Sequence, residues 1–211
     1  GERMEFGPMK RHYITAGDAT NSEWAQDTDV LAGKILRVNP DGSVPVENPF
    51  NNSIYSYGHR NPQGLAWISG QLWATEHGRS GLQSGMDELN RISSGGNYGW
   101  PVIEGGQTQP GMINPVIHSG PDITWAPAGA EHVNSSIYFA GLRGKTLYEA
   151  EIEDSQLKEL DGHLHDRFGR LRAVEQGPEG DLYITTSNTD GRGNPAENDD
   201  KIIRVDPKSL E

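Results

Sequence analysis

Two short phrases occur near both ends of the chain, and they constrain its fold more than any other feature. Residues 34–40 are KILRVNP and residues 201–207 are KIIRVDP. Residues 6–15, with Gly-Pro before Tyr-Ile-Thr, return in the same way at 176–185. Recurring units of this kind are typical of repeat folds, in which each copy buries an apolar face against the next. We therefore expect several copies of one β unit.

Short β-like runs fill the rest of the chain between turn residues. The chain has 27 Gly and 13 Pro, residue types that end strands at turns. A helix-like pattern is found only at 154–164, where a turn or two is expected. The predicted strands are 4–6, 13–16, 34–38, 64–68, 72–76, 88–92, 136–140, 146–152, 171–175, 182–186 and 201–205.

These runs predict an all-β fold, a β-propeller of antiparallel blades, in a single domain spanning 1–211. The spacing of the repeats predicts about four blades. A β-sandwich with long loops is the alternative, but repetition of one strand-turn-strand phrase favours the propeller. Residues 93–132 contain no clear strand and are expected to form a functional loop. The predicted blades are about 1–38, 64–92, 133–152 and 171–205.

Charge and hydropathy exclude several classes of protein. With 30 acidic against 18 basic residues, a net charge of −12 and no basic cluster, nucleic acid is not an expected partner. No apolar run approaches the ~20 residues of a membrane span, and residues 1–30 lack the pattern of a signal peptide. The absence of cysteine excludes disulfides and thiolate metal sites.

Arginines at predicted strand ends and turns are the clearest candidate binding residues. Arg60 lies in a polar turn before a strand, Arg143 follows a strand, and Arg170 and Arg172 would project from one face of another. Like charges placed side by side need an anion between them, so this pattern indicates a small polyanionic ligand. The alternative is ordinary ion pairing with the many carboxylates, or a hydrogen-bonded turn at Arg60.

Three further segments have two interpretations each. The loop from Glu76 to Asp87 and Glu88 could bind Ca²⁺ through oxygen atoms, or be a solvated acidic loop. Residues 95–101 (GGNYGWP) could form the wall of a ligand site or close the end of a blade. His163 and His165 have the spacing of a metal pair but lie in a polar connector, so a surface position is favoured.

Five phrases occur in an order that resembles a known family. The chain is similar to the soluble pyrroloquinoline quinone (PQQ)-dependent sugar dehydrogenases, the glucose/sorbosone or aldose sugar dehydrogenase family. The phrases are GHRNPQGLA at 58–66, TEHG at 75–78, DELN at 87–90, GNYGWP at 96–101 and FGRLR at 168–172.

The resemblance implies a fold, an activity and a compartment. Members of this family are six-bladed β-propellers that oxidise the C1 hydroxyl of aldoses to lactones. They transfer a hydride to PQQ, which is held with Ca²⁺, and they act in the periplasm or outside the cell. The implied partners are a small-molecule sugar and a natural or artificial electron acceptor.

The resemblance also assigns roles to individual residues. It implies that Arg60 lies beside the quinone oxygens as the catalytic residue of this chain and also binds the cofactor, and that Asn61, Gln63, His77 and Thr124 are further cofactor-binding residues. PQQ is a tricarboxylate, and the remaining cofactor-binding residues implied to bind it are Arg143, Arg170 and Arg172.

For the metal, the resemblance implies that the backbone carbonyls of Gly78 and Arg79 bind Ca²⁺. The family commonly has proline where Arg79 stands, which weakens the expected loop geometry more than the ligand set.

Two departures from the family leave alternatives open. The family's general-base histidine would fall about two positions before Gly1. Four blades are also fewer than six, which indicates either a fragment of a larger product or a short propeller whose open edges favour self-association. The alternatives to the sugar dehydrogenase are a non-catalytic truncated propeller that binds PQQ-like anions or a protein partner and, less favoured, a Ca²⁺-dependent lactonase.

Overall fold

The computed structural model describes residues 3–81 and 84–210. Its strands form four antiparallel sheets that follow one another along the chain. The strands are β1 (Met4–Phe6), β2 (His12–Ala16), β3 (Lys34–Val38) and β4 (Ile54–Tyr57) in sheet 1; β5 (Pro62–Ile68), β6 (Gln71–Glu76), β7 (Glu88–Ile92) and β8 (Ile117–His118) in sheet 2; β9 (Pro127–Val133), β10 (Ser136–Gly141), β11 (Leu147–Glu153) and β12 (Gln156–His163) in sheet 3; and β13 (Leu171–Gln176), β14 (Leu182–Thr186) and β15 (Ile202–Val205) in sheet 4.

The sheets are arranged as the blades of a β-propeller. The first strands of neighbouring sheets contact one another, β1 with β5, β5 with β9 and β9 with β13. An apolar layer fills each space between adjacent sheets, with Ile35 against Leu65, Trp73 against Phe139, and Leu147 against Leu182. This arrangement confirms the predicted all-β propeller fold and excludes the β-sandwich. Among the described residues, no helix is long and apolar enough to cross a membrane.

The sequence repeat has a specific structural cause. In sheet 1 and in sheet 4, a glycine between the first two strands lies under the ring of a tyrosine on the second strand. A Cβ atom on Gly7 would lie 2.5 Å from Cε2 of Tyr13, and one on Gly177 would lie 2.3 Å from Cε2 of Tyr183. Only glycine leaves room for this ring position. The KILRVNP and KIIRVDP phrases contain β3 and β15, the third strands of the same two sheets.

The helix-like segment at 154–164 is a strand, so that prediction is wrong. Asp154 and Ser155 both have positive φ, as expected of a two-residue hairpin turn, and β12 pairs with β11. The pairing shifts register so that Lys158 is left without a partner strand residue. This bulge places Leu157 and Leu160 against the same apolar cluster at a spacing of three, which imitates a helix.

The predicted blade limits are too narrow. Sheet 1 gains Ile54–Tyr57, and the segment 93–132, predicted to lack strands, contains β8 and most of β9. Ile117–His118 is too short to show an alternating pattern. Pro127–Val133 begins with a proline and carries a glycine at its third position, both of which are depleted in strands.

Candidate functional site

A cleft opens at the end of the propeller where the first strand of each sheet begins and the second strand ends. It consists of two adjoining depressions of about 480 and 540 Å³. Its walls are strongly basic for a protein with a net charge of −12. The arginines that line it are Arg60, Arg79, Arg143, Arg170, Arg172 and Arg192.

Two of these guanidinium groups hydrogen-bond to hydroxyl groups. Arg60 Nη2 donates to Ser80 Oγ at 2.7 Å, and Arg143 Nη1 donates to Ser84 Oγ at 2.8 Å. A neutral hydroxyl leaves the positive charge of a guanidinium uncompensated. Both cations are therefore available to an anionic ligand.

The other arginine pair shares one carboxylate. Oδ2 of Asp190 accepts from Arg170 Nη2 at 2.9 Å, from Arg172 Nη2 at 3.2 Å and from Ser187 Oγ at 3.2 Å. Partial burial opposes ionisation, but the Arg192 N–H and the Arg170 guanidinium outweigh it and lower the pKa of Asp190 to about 2. Asp190 is the anion that the Arg-x-Arg pattern requires.

The neutral polar residues predicted at the site also line the cleft. Gln63 Nε2 donates to Asn61 Oδ1 at 3.0 Å, and Thr124 Oγ1 donates to Ser84 Oγ at 3.0 Å. His77 Nε2 donates to the carbonyl of Pro127 at 2.6 Å. Burial lowers the pKa of His77, in spite of the opposing charge of Asp87.

The loop predicted to bind a metal is organised by Asp87. Asp87 Oδ1 accepts from the N–H of Gly78 at 2.9 Å, and Oδ2 accepts from the N–H groups of Trp125 and Ala126 at 2.7 and 2.9 Å. The Arg79 Nε atom lies 2.7 Å from Glu104 Oε2. The carboxylate of Asp87 is thus occupied by backbone donors from two segments of the cleft floor.

The acidic residues of this loop do not form a metal cluster. Glu88 accepts from Asn90 Nδ2 and from the N–H of Gly105, both at 3.0 Å, and burial, with Glu76 close by, raises the pKa of Glu88 to about 8. Within 3–81 and 84–210, no group of three or more His, Asp or Glu side chains could hold a metal ion. A Ca²⁺ site that includes backbone carbonyls of this loop therefore stays a prediction. The solvated acidic loop is wrong, because Glu76, Asp87 and Glu88 are all largely buried.

The structure also shows where the GNYGWP phrase and the pair His163 and His165 lie. Tyr98, from the GNYGWP phrase, is buried between sheets 1 and 2, and Trp100 Nε1 donates to Asp18 Oδ2 at 3.0 Å beside the cleft floor. His163 donates to Glu149 at 2.9 Å, and the side chain of His165 is 74% exposed. The surface interpretation is confirmed for His165, whereas the side chain of His163 is only 16% exposed.

Sequence reasoning missed four polar residues among those described in the cleft. Asp190 and Arg192 lie in the loop after β14, and Ser80 and Ser84 lie in the loop after β6. The available signal was position in the repeat. The loop with Asp190 and Arg192 follows the second strand of sheet 4, just as Arg143 follows the second strand of sheet 3. The side chains themselves are ordinary loop residues, so only the fold reveals that they face the cleft arginines.

Comparison with known proteins agrees with this geometry. The sequence profile of the Glucose / Sorbosone dehydrogenase family matches residues 1–203. The aldose sugar dehydrogenase YliI of Escherichia coli K12 is 31% identical over 99% of this chain and 60% of its own length.

Solved structures are similar over nearly the whole chain. The PQQ-bound aldose sugar dehydrogenase of Streptomyces coelicolor superposes with a TM-score of 0.89 at 40% identity, covering 96% of this chain and 60% of that one. An oxidoreductase of Thermus thermophilus, described as a glucose dehydrogenase, gives 0.90 at 42% identity, with 96% and 64% covered. The chain thus spans about 60% of these relatives, and it belongs to the glucose/sorbosone dehydrogenase family.

Proposed function

We propose that this chain forms the cofactor-binding part of a PQQ- and Ca²⁺-dependent enzyme that oxidises aldoses at C1 to lactones. The observation that carries the proposal is the arginine-lined cleft in an acidic protein. Arg60 and Arg143 line this cleft, and within residues 3–81 and 84–210 neither guanidinium is hydrogen-bonded to a carboxylate. The PQQ-bound relative and the aldose sugar dehydrogenase homologue support it.

The cleft fits PQQ in charge and in size. PQQ is planar and carries three carboxylates, and planar guanidinium groups bind carboxylates through paired N–H donors. Depressions of about 480 and 540 Å³ lie within the usual range of small-molecule sites. Asp190 already holds Arg170 and Arg172 together, so the cation pair exists before an anion arrives.

Each cleft residue has a role consistent with its position. Arg172, whose side chain is 45% exposed, would bind a cofactor carboxylate with its unused N–H groups. Arg143 would bind another. Arg60 would lie near the quinone oxygens, where its charge favours the reduced state, and Asn61 and Thr124 would supply hydrogen bonds. When bound, PQQ supplies the acceptor for the hydride from sugar C1.

Calcium would be held by the backbone carbonyls of Gly78 and Arg79. Calcium takes six to eight oxygen ligands, so these two carbonyls would be completed by the cofactor and by water. The ion pair with Glu104 is formed by the side chain of Arg79, not by its carbonyl.

A base must take the proton of the sugar hydroxyl, and the family resemblance assigns this role to a histidine. His59 is unsuited to it because it is fully buried and both ring nitrogens are bonded, to Ser56 and to Glu76.

By the same resemblance, we expect the protein to act in the periplasm or outside the cell.

Calorimetry and a dye assay on the full-length protein test the proposal. PQQ with CaCl₂ is expected to bind and to support dye reduction by one or more of several aldoses. Binding without turnover would instead support a non-catalytic, anion-binding propeller. No binding of PQQ to the wild-type protein would overturn the proposal.

A further inference from the structure

One buried carboxylate holds the turn that carries Arg60 and Asn61. The N–H groups of both residues donate to Oε1 of Glu76, the last residue of β6, with the Asn61 bond at 3.2 Å. Oε2 of Glu76 accepts from His59 Nδ1 at 2.8 Å and from Asn90 Nδ2 at 3.4 Å. Glu76 thus joins two consecutive backbone donors of the cleft wall to the interior of the blade.

The carbonyl groups of the same turn are also bonded. The N–H of Asp18 donates to the Arg60 carbonyl at 2.8 Å, and the N–H of His77 donates to the Asn61 carbonyl at 3.1 Å. Buried backbone groups without partners are costly, so this set of bonds favours one conformation of the turn. Glu76 supplies the acceptor for both N–H groups, and no other side chain among the described residues bonds them.

Glu76 is itself held by a buried hydrogen-bonded array. His59 Nε2 lies 2.8 Å from Ser56 Oγ, and the His59 ring stacks on Tyr98 at 4.7 Å between centroids. Serine, histidine and glutamate in this order have the connectivity of a hydrolase triad. Ser56 and His59 are 0% exposed, so no substrate reaches them. The array instead fixes the position of the Glu76 carboxylate.

We propose that Glu76 is a positioning residue that aims the Arg60 guanidinium and the Asn61 amide at the cofactor. The inference rests on the proposed function, because the cofactor is the ligand that these two groups would contact. Displacement of a binding group by about 1 Å is enough to cost a large part of its contribution. Loss of the Glu76 oxygens would free both N–H groups at once, so both side chains would lose their fixed direction.

Three substitutions separate position from charge. Glu76→Leu removes both acceptor oxygens, and PQQ affinity should fall by about 10- to 100-fold. Glu76→Gln keeps an oxygen for the two N–H groups while its amide can donate to His59, so affinity should stay within about threefold of the wild type. Glu76→Asp keeps the charge but is one methylene shorter, and its affinity should fall below that of Glu76→Gln.

Glu149→Leu is the matched control. Glu149 lies on β11 away from the cleft, and it accepts from Ser136 Oγ at 2.7 Å and from His163 Nε2 at 2.9 Å. This variant should lower the melting temperature and leave PQQ affinity unchanged. A merely structural role for Glu76 would give the same result in both leucine variants.

The measurement is calorimetric titration of the full-length variants with PQQ and CaCl₂, below their melting temperatures. Wild-type affinity in Glu76→Leu, or an equal loss in Glu149→Leu, overturns the inference alone. If Glu76→Leu does not fold, Glu76→Gln and Glu76→Asp provide the test. Weaker PQQ binding by Glu76→Gln than by Glu76→Asp would then overturn the inference. No binding by the wild type overturns the proposed function and the inference with it.

Discussion

Asp190 Oδ2 lies 2.9 Å from Nη2 of Arg170, in a cleft whose walls carry six arginines. The same oxygen contacts Arg172, so one carboxylate stands between two guanidinium groups. Without it, two cations on neighbouring positions would repel each other across the start of β13. The cleft thus contains a pair of cations, Arg170 and Arg172, whose spacing depends on Asp190 in the loop between β14 and β15.

Asp190→Asn should therefore destabilise the protein, by about 1 kcal/mol, because it leaves this repulsion uncompensated in a partly exposed site. Salt screens such a repulsion, so the difference from the wild type should shrink between about 0.05 and about 1 M NaCl. Chemical denaturation with urea at each salt concentration measures it. A difference that is independent of salt would contradict the electrostatic origin.

Acid should reveal the same interaction. The pKa of Asp190 is about 2 in the folded protein, below the ordinary value of 3.8. The unfolded chain then binds more protons between these two values, so the stabilisation is complete above about pH 4 and is lost as the pH falls toward 2. Asp190→Asn should lack this part of the acid dependence, as urea denaturation at stepped pH would show. Parallel pH profiles for the two proteins would contradict the assignment.

Arg172→Ala should weaken PQQ binding by about tenfold, since it removes an exposed guanidinium with N–H groups open to a carboxylate. The matched control is Arg204→Ala. Arg204 lies in the same sheet, pairs with Glu179 and Asp181, and faces away from the cleft. Calorimetric titration with PQQ and CaCl₂ compares them. Equal affinities in the two variants would contradict a role for Arg172 in the cleft.

The fold was largely predictable because its signal is local and repeated. The second strands at Leu72, Ile137 and Leu182 alternate or are continuously apolar, and turn residues separate them. The strands that were predicted wrongly are those whose conformation depends on pairing with a neighbouring strand. Strand β12 looked helical because a bulge at Lys158 changes the spacing of its partly buried leucines, and the two-residue strand β8 is defined by its pairing with β7.

Four arginines of the candidate site were predictable from the sequence, whereas Asp190 and Arg192 were not. Arg60, Arg143, Arg170 and Arg172 lie beside strands, so their approximate positions follow from the blade repeat. Asp190 comes from a loop between two strands, and a loop residue has no periodic position. Its partner is 20 residues away in the sequence, so the pair exists only after β13 and β14 have paired.

The glycine under each tyrosine gives a test of the repeat itself. A Cβ atom on Gly7 would lie 2.4 Å from Trp67 and 2.5 Å from Tyr13, which is buried, whereas one on Gly177 would meet the half-buried Tyr183. Both substitutions to alanine should destabilise the protein, by about 1–3 kcal/mol. Gly7→Ala should cost more because its Cβ atom would meet two rings, one of which is the buried ring of Tyr13. Urea unfolding of the two variants gives the order, and the reverse order would contradict this explanation.

Lys34 and Lys201 occupy equivalent positions in the two repeated phrases but have different surroundings. Lys34 is fully buried, and its ammonium donates to the carbonyls of Trp24, Ala25 and Ala32 at 2.7, 3.1 and 2.6 Å. Lys201 is partly exposed and pairs with Asp199. Lys34→Met removes the ammonium donor from all three carbonyls, although those of Trp24 and Ala25 keep the N–H groups of Asp27 and Gly58. It should cost roughly 1–3 kcal/mol, whereas Lys201→Met should cost less than about 1 kcal/mol.

The two lysines should also differ in alkaline solution. Burial lowers the pKa of Lys34 from 10.5 to about 8, with Asp27 opposing the change. Between these values the unfolded chain binds more protons than the folded one, so stability should rise with pH from about 8 to about 10.5. Lys34→Met should lose this rise and Lys201→Met should keep it. The measurement is the urea midpoint of each variant across this pH range. If the midpoint of Lys34→Met rises with pH as steeply as that of the wild type, another group causes the rise in stability.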